Sequence, residues 1–394
     1  MEIEPVGAAD DAGGPDAEET PEAASPPEGA DVPAPAEPDA GLEVPAFDFT
    51  AFDEQVDAFL KANSLRGASA VVVHRDFGAV HTRGYGEYDR DRLYLIASSS
   101  KILSVGILLR LADQGLIDLD RPLRNYLTDW QGNKESLTVA QLLSMSSGLT
   151  GLMDNPLYGP YLCQFVGSSL TDCAKEIYAA NDVADRDDPD TAFHYGGGAW
   201  QLAGGIAEQV SGKSWGTLVE ETYVDPCGAE SLGYQNQFGQ SFVEGLGIGV
   251  IAYPGFFKGD ISALTTTKNP SIEGGAYVTV GDYGKILLMH LRDGRCGRAQ
   301  VLSPTAVKRM REDRIGEVYG GETGNDLFPG YGMGWWVSRD QPGLVLDPGM
   351  YGAAAWIDEP RGYAAFVAIE GALGMGGDEL AADLKGTLEP VFGP

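Results

Sequence analysis

Ser98 and Lys101 stand three residues apart in the run Ile96-Ala97-Ser98-Ser99-Ser100-Lys101, which leads into an apolar helix pattern through Leu111. On a helix that spacing sets both side chains on one face, within reach of each other. A hydroxyl at a helix N-terminus attacks a carbonyl at lower electrostatic cost, because that end favours developing negative charge. A lysine desolvated by apolar neighbours has a depressed pKa and can serve as the base for such a hydroxyl. The chemistry on offer is acyl transfer through a serine ester. Alone the pattern is thin: about one Ser-x-x-Lys is expected by chance at this Ser and Lys usage, and most such pairs cap helices.

Other chemistry-bearing residues make weaker cases. Gly212-Lys213-Ser214-Trp215-Gly216 fits the G-x-S-x-G elbow, which needs a strand before it and Asp then His after it. Residues 201 to 210 instead read as helix, and His290, the only downstream histidine, sits in an apolar helical stretch. Ser214 reads as a helix cap. Asp182, Asp185, Asp187, Asp188 and Asp190 lack the ordered spacing of a calcium loop and read as a solvated acidic loop. His74, His81 and His194 are too scattered for zinc. No metal and no cofactor is expected. Trp335, Trp336 and Trp356 read as sheet packing.

Those residues need elements to hold them. Phe52, Val56, Phe59 and Leu60 recur at helical spacing. Ser69–His74 and Gly78–Thr82 read as strands around a turn at 76–78. Helical pieces alternate with Gly-, Asp- and Ser-rich loops from about Leu116 to Thr267. Strand patterns return at 334–337, 353–357 and 364–369, and a last helix runs from Glu379 to about Val391. Strands at both ends with helices between imply an α+β fold: one antiparallel sheet flanked by helices, with a mostly helical insertion. Residues 46–115 and 270–394 are expected to supply the sheet region and 116–269 the helical one.

With this context the blocks resemble, in order, the serine β-lactamase, DD-peptidase and family VIII esterase group. The run 96–101 with Leu111-Ala112-Asp113-Gln114-Gly115-Leu116-Ile117-Asp118 resembles that group's nucleophile helix and the turn after it. Leu137 to Leu149, Gly274 to Tyr283, Leu302-Ser303-Pro304 and Tyr331 to Trp336 resemble later blocks, and the likeness covers Phe47 to the C-terminus. It implies that Tyr195, in Phe193-His194-Tyr195-Gly196-Gly197, takes the Ser98 proton and then protonates the leaving group. The group's Tyr-x-Asn element has Gly197 in place of Asn. Its cationic third element falls on Asp347-Pro348-Gly349, so an Asp stands where Lys or His is usual. Gly197, Asp347, Gly349 and Tyr158 are then expected at the substrate. The backbone N–H groups of Ser98 and Met350 are expected to form the oxyanion hole. An anionic Asp347 would repel a substrate carboxylate and favour a protonated Lys101.

The chain has 394 residues, 54 of them glycine, and a formal net charge of −31. That balance excludes nucleic acid as a partner and excludes docking on anionic lipid through basic residues. No run of about 18 apolar residues is present, so no membrane span is expected. Residues 1–45 are rich in Ala, Pro, Glu and Asp, with no Lys or Arg before Lys61. They read as a disordered tail ahead of a domain spanning 46–394. The N-terminus has no signal-peptide pattern, while the acidic leash resembles the spacers of lipid-tethered or exported bacterial proteins. An extracytoplasmic location is therefore expected, with the leader absent from this chain and a lipid tether upstream as an option. Cys163, Cys173, Cys227 and Cys296 leave two alternatives, the pairs 163–173 and 227–296 or four free thiols. The extracytoplasmic reading favours the pairs.

The functional expectation is an esterase-like acyl hydrolase of small neutral or cationic esters. Two alternatives stay open. One is an amide hydrolase acting on a D-amino-acid peptide, a β-lactam or a linear amide oligomer. The other is a catalytically silent envelope binding protein, motivated by Gly197 and Asp347.

Overall fold

A computed structural model describes residues 45–243, 253–371 and 377–393. The expected tail, up to residue 44, lies outside them. The main sheet has seven antiparallel strands in the order Gly78–Gly86, Gly67–His74, Tyr363–Ile369, Ala353–Asp358, Leu344–Gly349, Trp336–Val337 and Gly330–Tyr331. Strands from the two ends of the chain pair as its second and third members, where Ala68 opposes Ile369 and His74 opposes Tyr363. The α+β class holds.

Both faces of this sheet are covered, so its central strands are apolar throughout instead of alternating with polar residues. Ala68, Ala70 and Val72 pack on one side with Phe52, Val56, Leu380 and Leu384 of the helices Thr50–Ala62 and Gly377–Phe392. Val71 and Val73 point the other way, into the larger core with the helices Lys101–Asp113 and Val280–Leu291. In Leu344–Gly349 the same period-two alternation puts Leu344 and Leu346 outward and Val345 inward. Asp347 and Gly349 therefore fall on the inward face, toward the nucleophile. This strand goes unannounced in the residue pattern, because Pro348 within it lacks a ladder donor and reads as a breaker. It nonetheless sits opposite Ala354.

A three-stranded sheet of Tyr94–Leu95, Ala276–Val278 and Gly233–Tyr234 ties the segment before Ser98 to the segment after Glu273. One disulfide, Cys163–Cys173, lies within the helical part and a second, Cys227–Cys296, ties it to the C-terminal region, with Cα separations of 5.3 and 4.9 Å. The paired alternative is thus the one adopted. Among the described residues no helix is long and apolar enough to cross a membrane.

Candidate active site

Between Tyr94 and Leu109 every residue is buried except Ser98, which is half-exposed. Ser98 sits in a short 3₁₀ turn, Ala97–Ser100, that runs directly into the helix Lys101–Asp113. Ala97 adopts a φ of +47°, a left-handed conformation that costs an alanine about 1–2 kcal/mol. The surroundings hold the turn in place. Ser99 Oγ donates to the Asp347 carbonyl at 2.9 Å, and the Tyr283 hydroxyl donates to the Ser99 carbonyl at 2.9 Å. Gly349 lies so close that a Cβ there would stand 2.1 Å from the Ile96 carbonyl oxygen, so no other residue fits without displacement. That contact brings the chain at Met350 alongside the nucleophile turn.

Lys101 is wholly buried. Its ammonium donates to Ser98 Oγ at 2.9 Å and to the Glu273 carbonyl at 3.2 Å, and lies 3.4 Å from Glu273 Oε2. The rings of Tyr195 and Trp200 face it, with centroids 4.7 and 5.6 Å away. The Tyr195 hydroxyl interacts with the side chains of both Ser98 and Lys101. Three residues that the sequence singled out therefore meet at one point.

The Tyr195 loop is held from several sides. His194 N–H donates to the Met145 carbonyl at 2.9 Å, and Gly196 N–H to Met145 Sδ at 3.3 Å. The His194 ring is clamped between Asp154 (2.7 Å) and Asp187 (2.8 Å). Arg314 pairs with Asp190 at 2.7 Å and also donates to Ser144 and Ser146, tying the same loop to the Leu137–Leu149 block. Trp336 packs on the Tyr195 ring with centroids 5.4 Å apart.

Gly197 is more than a missing Asn. Its φ of +86° with ψ of −153° is a conformation open essentially to glycine alone. Its N–H donates to Glu273 Oε2 at 3.0 Å. A Cβ on Gly197 would stand 3.0 Å from Leu152 N, and one on Gly196 would stand 2.5 Å from Glu273 Oε2. Gly196 clears the space that the Glu273 carboxylate fills, and Gly197 supplies the N–H that binds it. Gly197→Asn is accordingly expected to lower stability by about 1–3 kcal/mol and to reduce activity, not restore it. Urea unfolding alongside an ester assay checks this; a gain in activity would mean that the glycine is a simple loss.

Several expectations need correction. Asp347 does not line an open cleft: it is wholly buried, and neither carboxyl oxygen makes a well-formed hydrogen bond, a weak approach to Ile102 N–H apart. Burial pushes its pKa well above the usual carboxylate range, against the opposing pull of Lys101, so it is a neutral acid. The predicted repulsion of substrate carboxylates by an anionic Asp347 therefore fails. Tyr158 spends its hydroxyl on Asp185 at 2.6 Å and its ring packs edge-on against Tyr161. The Asp182–Asp190 loop is not merely solvated, since Asp182 is buried and binds Lys134 at 2.9 Å as well as the Tyr161 hydroxyl. Ser214, by contrast, caps the helix Trp215–Val219 as expected.

Charge within the site follows from these contacts. Burial pulls the Lys101 pKa down, but Tyr195, Glu273 and Asp347 together outweigh it and the net shift is upward. The amine is an ammonium at rest, contrary to the depressed base that burial alone suggests. Burial likewise raises the Tyr195 pKa, only partly offset by Lys101, so the phenol keeps its proton. Among the described residues no group of three or more His, Cys, Asp or Glu is placed to hold a metal ion.

Residues 52–386 match the family model described as Beta-lactamase. Penicillin-binding protein 4 of Amycolatopsis lactamdurans is 26% identical over 311 residues, covering 73% of this chain and 75% of that protein. The esterase/beta-lactamase LipL of Mycobacterium tuberculosis is 27% identical over 154 residues, 38% of this chain and only 33% of LipL. The octameric penicillin-binding-protein homologue of Pyrococcus abyssi superposes with a TM-score of 0.64 at 18% identity, over 87% of this chain and 77% of that one.

Proposed function

This chain belongs to the Beta-lactamase family of serine hydrolases, and from that premise we propose that it is an esterase-like acyl hydrolase acting on small neutral or cationic esters. The observation that carries the proposal is the Ser98–Lys101 contact of 2.9 Å in a buried niche, with the Tyr195 ring centroid 4.7 Å from the same ammonium. Ser98 Oγ attacks the ester carbonyl. The N–H groups of Ser98 and Met350 receive the oxyanion, a role favoured by the tight approach of Gly349 to Ile96. Tyr195, a neutral phenol at rest, donates its proton to the departing alcohol. Water then releases the acid from Ser98.

The substrate preference rests on what fills the third element. A buried, neutral Asp347 occupies the place of a cation that would hold a substrate carboxylate. Loss of that attraction, without added repulsion, disfavours penicillins, and the net charge of −31 adds a long-range bias toward cationic substrates. A panel of p-nitrophenyl esters, nitrocefin and D-alanine amides tests this. Short neutral esters are expected to give the highest kcat/KM, and nitrocefin turnover matching them would defeat the preference. Amide hydrolysis is the second reading, favoured by the 26% identity to a penicillin-binding protein; D-alanine amides leading the panel would select it. The two disulfides favour an extracytoplasmic location, with a lipid tether upstream as one means of retention.

A further inference from the structure

The protonated state of both Lys101 and Tyr195 leaves a question of balance. Ser98 must lose a proton as it attacks, yet neither neighbour is free to take one. Glu273 resolves this by position. Its carboxylate shares the Lys101 ammonium with Ser98, with Nζ 2.9 Å from Ser98 Oγ and 3.4 Å from Glu273 Oε2. The Glu273 carbonyl also binds Nζ, and Gly197 N–H steadies Oε2 at 3.0 Å. The Lys101 and Glu273 side chains are 0% and 9% exposed, so bulk water does not replace either partner.

We propose that Glu273 is a positioning residue that receives, through Lys101, the proton Ser98 gives up. As the Oγ–carbonyl bond forms, Lys101 gives one of its ammonium protons to Glu273 and the nitrogen lone pair so freed takes the proton from the breaking Oγ–H bond. Lys101 ends as an ammonium, and the Glu273 carboxylate becomes a carboxylic acid. When the tetrahedral adduct collapses, the leaving oxygen takes the Tyr195 proton. The phenolate is then reprotonated from Glu273 through Lys101, and the starting charges return. No outside acid, base or oxidant is needed. The scheme rests on the assignment of Ser98 as nucleophile. It also gives a role to the two glycines beside Tyr195: Gly196 leaves room for the carboxylate and Gly197 N–H binds it.

The groups facing Lys101 are Ser98, Tyr195, Glu273, Asp347 and the Trp200 ring, and Glu273 additionally faces Tyr331. Glu273→Gln preserves shape and acceptor while removing the charge. For this variant kcat on a p-nitrophenyl ester is expected to fall about 10²-fold near neutral pH, the lower end for loss of a general base, with KM unchanged. Removing a negative neighbour also lowers the Lys101 pKa. The residual kcat should therefore climb with pH, as unprotonated Lys101 takes the proton directly, over a range where the wild type is flat. Glu273→Asp, which keeps the charge, should hold more activity than Gln and no such climb, and serves as the second variant if Gln fails to fold. A Gln variant with wild-type kcat, or with a loss constant across pH, overturns the relay. Wild-type activity in Ser98→Ala would instead remove the nucleophile beneath it, so the two failures are distinguishable.

Discussion

Ser98→Ala forms no covalent adduct with a slow ester or a fluorophosphonate, and its kcat falls on the order of 10⁶-fold, as for removal of other serine nucleophiles. The size follows from geometry: Ser98 is the one position between Tyr94 and Leu109 that is not fully buried, so no neighbouring hydroxyl in that segment can take over. Ser99 and Ser100 are buried, with their hydroxyls bound to the carbonyls of Asp347 and Ala97. The change is structurally mild, because the turn is held by backbone and by Ser99, Ser100 and Tyr283. Thermal unfolding should therefore match the wild type. Intact-mass spectrometry gives the answer directly: an adduct on the wild type, mapped to Ser98 and missing from the variant, rejects the silent-binding alternative. A wild type that labels no better than Ser98→Ala would establish it.

Lys101→Met is the second large effect, and it has two parts. Acylation should slow about 10³- to 10⁴-fold, since both the hydrogen bond to Oγ and the proton path from it are removed. Stability should also fall by about 3–5 kcal/mol, the usual cost of breaking a buried pair and stranding its partner. Glu273 would keep the Gly197 N–H and lose the ammonium that balances its charge. The double variant Lys101→Met/Glu273→Gln separates these parts. Urea midpoints should recover most of the stability, with activity still absent. A double variant no more stable than the single one would mean that the pair contributes little to folding.

Much of this was legible from residues alone. Ser98, Lys101 and Tyr195 do converge, and the meeting of strands from both ends follows from apolar runs near residues 70 and 365. Other features depend on backbone angles or on distance through space. That Gly197 replaces an Asn can be read directly, but its φ of +86° cannot, and that angle makes the glycine obligatory. Asp347 looked like a charge in a cleft because its neighbour Pro348 hides the strand that turns it inward. Glu273 escaped notice altogether. Its one signal was an acidic residue between Ile272 and Gly274, inside an otherwise apolar and glycine run. Its partner lies 172 positions away in the chain. The choice between disulfides and thiols was open for the same reason, since pairing is a property of proximity in space.

Strand Gly67–His74 has the hairpin partner Gly78–Gly86 on one edge and Tyr363–Ile369 on the other. As the polypeptide leaves the ribosome, the hairpin emerges early and its second edge stays open until almost the whole chain has been made. A bare, Val-rich edge is a template for pairing with other chains. Newly synthesised protein should therefore depend on a holding chaperone, and truncation before residue 363 should give aggregates in place of a smaller folded form. Ser98 cannot meet Gly349 until that late stage either, so the site cannot assemble until synthesis is all but finished.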